Sequence, residues 1–220
     1  MKKILEDLRA YLAIRVKYPG RWPMSVVESA IPSSTRLEEP VDIKRNVMIS
    51  SAVERIGAYT YIGNGASIFE CRQIGRFCSI SHGVKLGVSN HALDHVSSNA
   101  YFYSKSKGWL EESSFNEQET QCCIVEHDVL ISANAIVMNG VSLGTGSVIG
   151  AGAFVNSDVP PYAIYAGTPA RLIRYRFPDE IVQDLLQSAW WLEGEPVLRS
   201  LSPYFNNPQE FLLQLSRIRK

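Results

Sequence analysis

An excess of charge of either sign is missing from this chain: its 220 residues carry 22 Lys and Arg against 22 Asp and Glu, a formal net charge of zero. No strongly basic stretch stands out, so the electrostatic footprint of a nucleic-acid binder is absent. Long apolar runs are lacking too. None approaches the roughly twenty residues that a membrane-crossing helix requires, and the amino terminus has no apolar core of the secretory kind. These absences lead us to expect a cytoplasmic protein with no membrane span and no nucleic-acid partner. Cysteine is scarce: Cys71, Cys78, Cys122 and Cys123 are not spaced as the paired CxxC of a zinc knuckle, and buried free thiols are expected. Histidine is as scarce, with only His82, His91, His95 and His127. The search for a side chain that titrates near neutral pH is therefore short.

What the chain does have is a beat of six. Isoleucine or leucine recurs at Ile56, Ile62, Ile68, Ile74, Ile80 and Leu86, and the beat resumes at Val125, Ile131, Val137, Leu143, Ile149 and Val155. Six matches neither the 3.6 of a helix nor the 2 of a lone strand; it suits a solenoid in which each hexad makes one flat side and a turn. Three sides close one coil of a triangular prism. The third residue after the apolar one is Gly65, Gly83, Asp128, Asn134, Gly140, Gly146, Gly152 or Asp158, types that reach positive φ at low cost and so turn a corner. One place further lie small or β-branched residues such as Thr60, Ala66, Cys78, Val84, Val129, Ala135, Ser147 and Ala153. They can share a narrow interior with the apolar residue.

The two runs are out of step, since thirty-nine positions separate Leu86 from Val125. An insertion accounts for it: from Val88 to Cys123 there is no repeat, but there are aromatics (Tyr101, Phe102, Tyr103, Trp109) and two of the four histidines. Its aromatic content argues against disorder, and long loops in compact repeats are commonly functional. We read residues 88–124 as a loop extruded from the prism wall and carrying the active site. Before the repeats, Ile4, Leu5, Leu8, Tyr11, Leu12 and Val16 have helical spacing, and YPGRWP ends that element, giving an amino-terminal helix and connector over 1–24. VDIKRNVMIS suggests an irregular first coil from residue 41. After the repeats an extended stretch runs to about residue 175, and Pro178, Asp179 and Glu180 open a helix through about Trp191. Residues 176–220 form a carboxy-terminal helical region, which would cover the open end of the solenoid. The whole reads as one mainly β domain.

With repeats, loop and tail in place, the chain resembles the hexapeptide acyltransferases built on a left-handed parallel β-helix, closest to the chloramphenicol- and streptogramin-type xenobiotic acetyltransferases and their polysaccharide O-acetyltransferase relatives. The motifs are Asn90-His91-Ala-Leu-Asp94 in the loop, Ala166-Gly-Thr-Pro-Ala-Arg171-Leu-Ile-Arg174 after the last coil, and Arg176-Phe-Pro leading to Trp190-Trp191. The resemblance implies a homotrimer that binds acetyl-CoA between adjacent prisms, with the loop histidine of one subunit completing each site, and it implies no metal. His91 matches the catalytic base, with Asn90 and Asp94 beside it on the acceptor side. Moving an acetyl group from a thioester to a hydroxyl requires removal of the hydroxyl proton, which imidazole can take; its other nitrogen would be held by a carbonyl or a carboxylate. His95 is the runner-up base, and His82 and His127, at corners, read as solvated or packed. Ala133 and Ala151 match places where backbone approaches the pantetheine arm, and Arg171 and Arg174 match the basic pair at the nucleotide phosphates.

Three departures bear on specificity. Asn156 and Ser157 stand where relatives carry Thr-Lys, leaving Asn156 at a donor-side position and the donor more dependent on the arginines. Leu130 replaces a common tryptophan, and Ala92-Leu-Asp94-His95-Val-Ser-Ser replaces a longer Met-Asp-Gly-Ser-Thr-Tyr stretch. These point to the sugar and polysaccharide branch, and so to an acetyl-CoA-dependent O-acetyltransferase acting on a glycan. The alternatives are an N-acetyltransferase of a nucleotide-linked amino sugar and an antibiotic acetyltransferase. A zinc enzyme on the same prism would need three converging histidines, whereas only His91 and His95 cluster; a purely structural cap would need no base.

Overall fold

The structure, a computed structural model, describes residues 31–115 and 122–219. The helix and connector expected over residues 1–24 lie outside them. The rest folds as a left-handed parallel β-helix followed by helices. Three sheets of five, seven and five short strands form the walls among the described residues. The first wall stacks Arg36–Leu37, Arg55–Ile56, Cys71–Ile74, Cys123–Val125 and Ser142–Leu143. The second stacks Asp42–Ile43, Tyr61–Ile62, Ser79–Ile80, Leu130–Ile131, Val148–Ile149 and Ala163–Gly167, closed by the antiparallel strand Ala170–Tyr175. The third stacks Met48–Ile49, Ser67–Ile68, Lys85–Val88, Ile136–Met138 and Phe154–Val155.

Ladder partners such as Ile56 and Ile74, or Ile62 and Ile80, lie eighteen positions apart, three hexads to a coil. Across the insertion the spacing is fifty-one, yet Ile74 still meets Val125, Ile80 meets Ile131 and Leu86 meets Val137. The loop thus leaves the hexad residues in register, with irregularities only at its roots, between Cys123 and Ile124 and between Val137 and Met138. The hexad residues from Ile56 to Val155 are completely buried, each side chain contributing about 1.5–3 kcal/mol of transfer free energy relative to exposure.

The corners adopt left-handed backbone, as at Gly65, Asp128, Asn134 and Gly146, with φ of 69°, 55°, 58° and 73°. Three bulky residues do so unexpectedly: Tyr162 (φ 55°) and the facing pair Tyr59 (φ 62°) and Phe77 (φ 60°). The rings of that pair stack at 4.8 Å, Phe77 also meets Trp190 at 5.2 Å and Tyr162 meets Phe177 at 5.8 Å, so packing offsets the backbone strain. Asp158 corrects the corner reading in the other direction. It is not among the positive-φ residues; its carboxylate instead accepts the Ser142 backbone N–H at 2.8 Å.

The first coil is regular and starts at Arg36 rather than residue 41. Leu37, Ile43 and Ile49 keep the beat of six, but one extra residue before Ile56 puts them out of phase with the rest. At the other end, α1 (Asp179–Ser188) gives way to a 3-10 turn at Trp190–Leu192, then α2 (Glu195–Leu201) and α3 (Pro208–Ile218). Asp179 and Glu180 sit in the first turn of α1, where carboxylates face free backbone N–H groups. Asn207 caps α3 by accepting the Glu210 N–H at 3.1 Å. The helices bury Val182, Leu185, Leu201, Phe211 and Leu215 with Trp190, Trp191 and Tyr162 in a second core. The sequence places them at the open end of the prism. They brace the corner between the first and second walls over several coils, through Tyr59 to Glu195, Phe77 to Trp190, His127 to Trp191 and Asp128 to Arg176.

Candidate active site

The corner between the third and first walls carries the loop. The chain leaves at Val88, whose carbonyl accepts the Asn139 N–H at 3.0 Å, and returns at Cys123, whose N–H reaches the Glu70 carbonyl at 2.8 Å. Within the loop, the Asn99 side chain accepts the Tyr101 N–H at 3.0 Å and starts a short turn over Ala100–Phe102. That turn delivers Tyr103 into the loop's own core, where it is completely buried. The Tyr103 carbonyl accepts the Ser114 N–H at 2.9 Å, and Phe115 meets its ring edge-on at 5.5 Å.

Both loop histidines converge on that tyrosine. His91 Nδ1 lies 2.8 Å from the Tyr103 hydroxyl. The His95 ring packs edge-on against the Tyr103 ring at 6.1 Å, while its Nε2 lies 3.1 Å from Ser114 Oγ. His91 itself is exposed. Its Nδ1 is thus engaged, and Nε2 has no partner among the described residues. The partner is neither the carbonyl nor the carboxylate that the sequence suggests, and nothing in the sequence beyond an aromatic in the loop marks Tyr103. Asn90 and Asp94 flank His91 and are exposed; among the described residues Asp94 bonds neither histidine. Residues 116–121 of the loop lie outside the described residues. Tyr101, Phe102 and Trp109 form an exposed aromatic cluster, with Trp109 at 4.9 and 5.5 Å from the other two rings.

A second constellation occupies the corner between the second and third walls. Ala133 and Ala151 follow Ile131 and Ile149 there, one coil apart, with the Gly152 N–H bonding the Ala133 carbonyl at 2.9 Å. The hairpin turn after Ala163–Gly167 lies beside them, Thr168 Oγ1 donating to the Gly152 carbonyl at 3.3 Å. Arg171 pairs with Ala166 near that turn and Arg174 pairs with Ile164 farther along. Both are exposed; their guanidinium groups donate to the Ala170 and Tyr175 carbonyls at 2.8 and 2.9 Å. Neither pairs with a carboxylate among the described residues. Asn156 stands apart from this group, after Val155, at the corner that carries the loop.

Within one chain, then, the structure gathers His91, His95 and Tyr103 at one corner and Ala133, Ala151, Arg171 and Arg174 at another. The remaining histidines behave as expected: His82 is exposed at the alanine corner, and His127 is packed. His127 Nδ1 accepts the Arg76 backbone N–H at 3.0 Å, and its ring stacks on Trp191 at 5.1 Å. Burial, with Arg55 and Arg76 nearby, holds its pKa below the ordinary value. Among the cysteines, burial pushes the Cys78 thiol up to about 12, and Cys71 is raised by its neighbour Cys123 and by burial. Neither is a ready nucleophile. Among the described residues no group of three or more His, Cys, Asp or Glu is gathered as a metal would need, and no helix is long and apolar enough to cross a membrane.

No protein-family model matches the chain. Individual proteins do. A chloramphenicol acetyltransferase of Escherichia coli is 35% identical over 156 residues, covering 62% of this chain and 74% of that protein. A probable macrolide acetyltransferase of Lysinibacillus sphaericus is 36% identical over 136 residues, covering 58% and 73%. Among solved structures, a point mutant of AntD, an N-acyltransferase from Bacillus cereus in complex with dTDP and coenzyme A, aligns with a TM-score of 0.54 at 21% identity, covering 73% of this chain and 86% of that one. At that identity the likeness speaks for the fold.

Proposed function

The chain belongs to the hexapeptide-repeat acetyltransferase family, and from that premise we propose that it moves the acetyl group of acetyl-CoA to a hydroxyl of a sugar in a surface polysaccharide or its precursor. The observation that carries the reading is His91: exposed, on the extruded loop, with Nδ1 engaged by Tyr103 and no partner on Nε2 among the described residues. In this role His91 takes the acceptor's hydroxyl proton as the oxygen attacks the thioester carbonyl. As the tetrahedral intermediate collapses, the imidazolium returns the proton to the departing sulfur. The products are the acetyl ester and free CoA thiol.

The donor side of the proposal is the alanine corner. Side chains no larger than methyl at Ala133 and Ala151 leave room for a pantetheine chain along the coil edge, and Arg171 and Arg174, held by no carboxylate among the described residues, are available to phosphates. Asn156 and the acceptor-side pair Asn90 and Asp94 are proposed contacts of donor and acceptor. Because the histidine and the alanines sit at different corners, the reading includes a homotrimer in which one subunit's loop meets another's groove. The sugar assignment is supported by the short loop sequence Ala92–Ser98 and by Leu130, an exposed aliphatic where family members commonly place tryptophan. The 35% identity to a chloramphenicol acetyltransferase favours a second reading, a hydroxyl-bearing antibiotic.

Free-thiol release from acetyl-CoA, measured over a panel of glycans, nucleotide sugars, nucleotide-linked amino sugars, chloramphenicol and a macrolide, separates these. Turnover confined to the antibiotics would replace the sugar reading, and turnover only with amines would replace the ester product. With the best acceptor, His91→Ala is expected to lower turnover by about 10² to 10⁴ with the circular dichroism unchanged. His95→Ala should cost far less. A reversed order would make His95 the base.

A further inference from the structure

The loop is organised around Tyr103, and it raises the question of what a completely buried phenol is for. Its ring is needed for packing: His91, His95 and Phe115 all meet it edge-on. Phenylalanine would serve that purpose. Its hydroxyl serves another, since it lies 2.8 Å from the Nδ1 of the exposed His91 while the tyrosine itself is completely buried. We propose that Tyr103 is the positioning residue of the reaction: its hydroxyl oxygen accepts the Nδ1–H of His91, which holds the imidazole in the tautomer whose Nε2 lone pair takes the acceptor's proton. This inference rests on His91 being the base.

A general base needs its reactive nitrogen unprotonated, so the remaining ring proton must sit on Nδ1 and have an acceptor there. Tyr103 is that acceptor by distance. Next, an exposed histidine on a loop loses rotamer freedom only if something anchors it; a phenol fixed by a buried ring, by the Ser114 N–H on its own carbonyl and by Phe115 is such an anchor. Finally, the bond strengthens when the proton arrives, because imidazolium is a charged donor and charge-assisted hydrogen bonds are roughly twice as strong as neutral ones. A neutral phenol does this without adding a carboxylate beside the acceptor. His95, bound to Ser114 and packed on the same ring, holds the other side of the tyrosine. It is the other titratable group in described contact with Tyr103.

The test is Tyr103→Phe, which keeps the buried ring, read against His91→Ala and the double variant. Alone, Tyr103→Phe is expected to lower kcat about ten- to a hundred-fold, the size of a lost hydrogen bond to a charged group, with little change in the acceptor's KM. The acid limb of its kcat/KM profile should move to lower pH, since the imidazolium has lost its acceptor. In the His91→Ala background the same change should do nothing more, because Tyr103 acts through His91. An equal loss in both backgrounds, an unmoved profile, or a shift to higher pH, which would make the phenol a donor to Nδ1, overturns the inference while His91 stands. Wild-type turnover in His91→Ala alone overturns the base assignment instead. Thermal unfolding of Tyr103→Phe at the wild-type temperature shows that the loss is not one of folding.

Discussion

Two histidines of this chain differ in what their ring nitrogens meet, and their chemistry differs accordingly. His91 is exposed and has its Nδ1 engaged by the Tyr103 hydroxyl. His127 is enclosed: its Nδ1 accepts from the Arg76 backbone, its ring lies on Trp191, and burial and nearby arginines hold its pKa below the ordinary 6.5. The folded protein therefore favours neutral His127 more than the unfolded chain does. That contribution to stability is fully present above pH 6.5 and is lost as the pH falls through the lower folded-state value. His127→Asn keeps an acceptor at nearly the position of Nδ1 but cannot titrate. Its melting temperature should be lower at neutral pH, from the lost stacking, and should fall less steeply than wild type on acidification below pH 6.5. Parallel melting curves across that window would show that His127 does not supply the acid sensitivity.

Among the elements, the hairpin of Ala163–Gly167 and Ala170–Tyr175 does the most with least burial. It extends the second wall, sets its turn against the alanine corner through Thr168 and Gly152, and spreads Arg171 and Arg174 on an exposed strand. If this element holds the donor's phosphates, Arg171→Ala and Arg174→Ala should each raise the KM for acetyl-CoA at least several-fold, a loss of roughly 1.5–3 kcal/mol at most, and leave the acceptor's KM nearly unchanged. Ala151→Leu should act in the same direction by filling the corner, without lowering the melting temperature, because the site is exposed. Unchanged acetyl-CoA kinetics in all three variants would remove the donor from this edge.

At the scale of the whole molecule, each corner of the prism has its own occupant: helices at the first, alanines and hairpin turn at the second, the loop at the third. On the proposed reading the histidine at one corner serves a groove at another across a subunit boundary, which a threefold ring of identical chains would supply. Mixed assemblies test this directly. If His91 is the base and Ala151 lines the donor groove, His91→Ala and Ala151→Trp assemblies should each be nearly inactive alone; co-expressed, they should recover activity well above their average, at sites pairing an intact loop with an intact groove. Activity no better than the average would place each complete site within one chain.

The repeat was legible because the interior of a β-helix is periodic: each coil needs an apolar residue in the same place, so Ile56 through Val155 write the walls directly into the sequence, and the break between Leu86 and Val125 announces the loop. The first coil was less legible, since a single extra residue before Ile56 displaces the phase without disturbing the ladder. Left-handed corners at Gly and Asn could be read from backbone preference. Those at Tyr59 and Phe77 could not, because stacking on each other and on Trp190, residues far away in the chain, is what offsets their strain. His91 stands out in the sequence as a candidate base by residue type and motif. Its partner was decided by tertiary structure alone: which side chain reaches Nδ1 depends on how an aperiodic loop packs on itself, and Tyr103 becomes that side chain only once Asn99, Ser114 and Phe115 have closed around it.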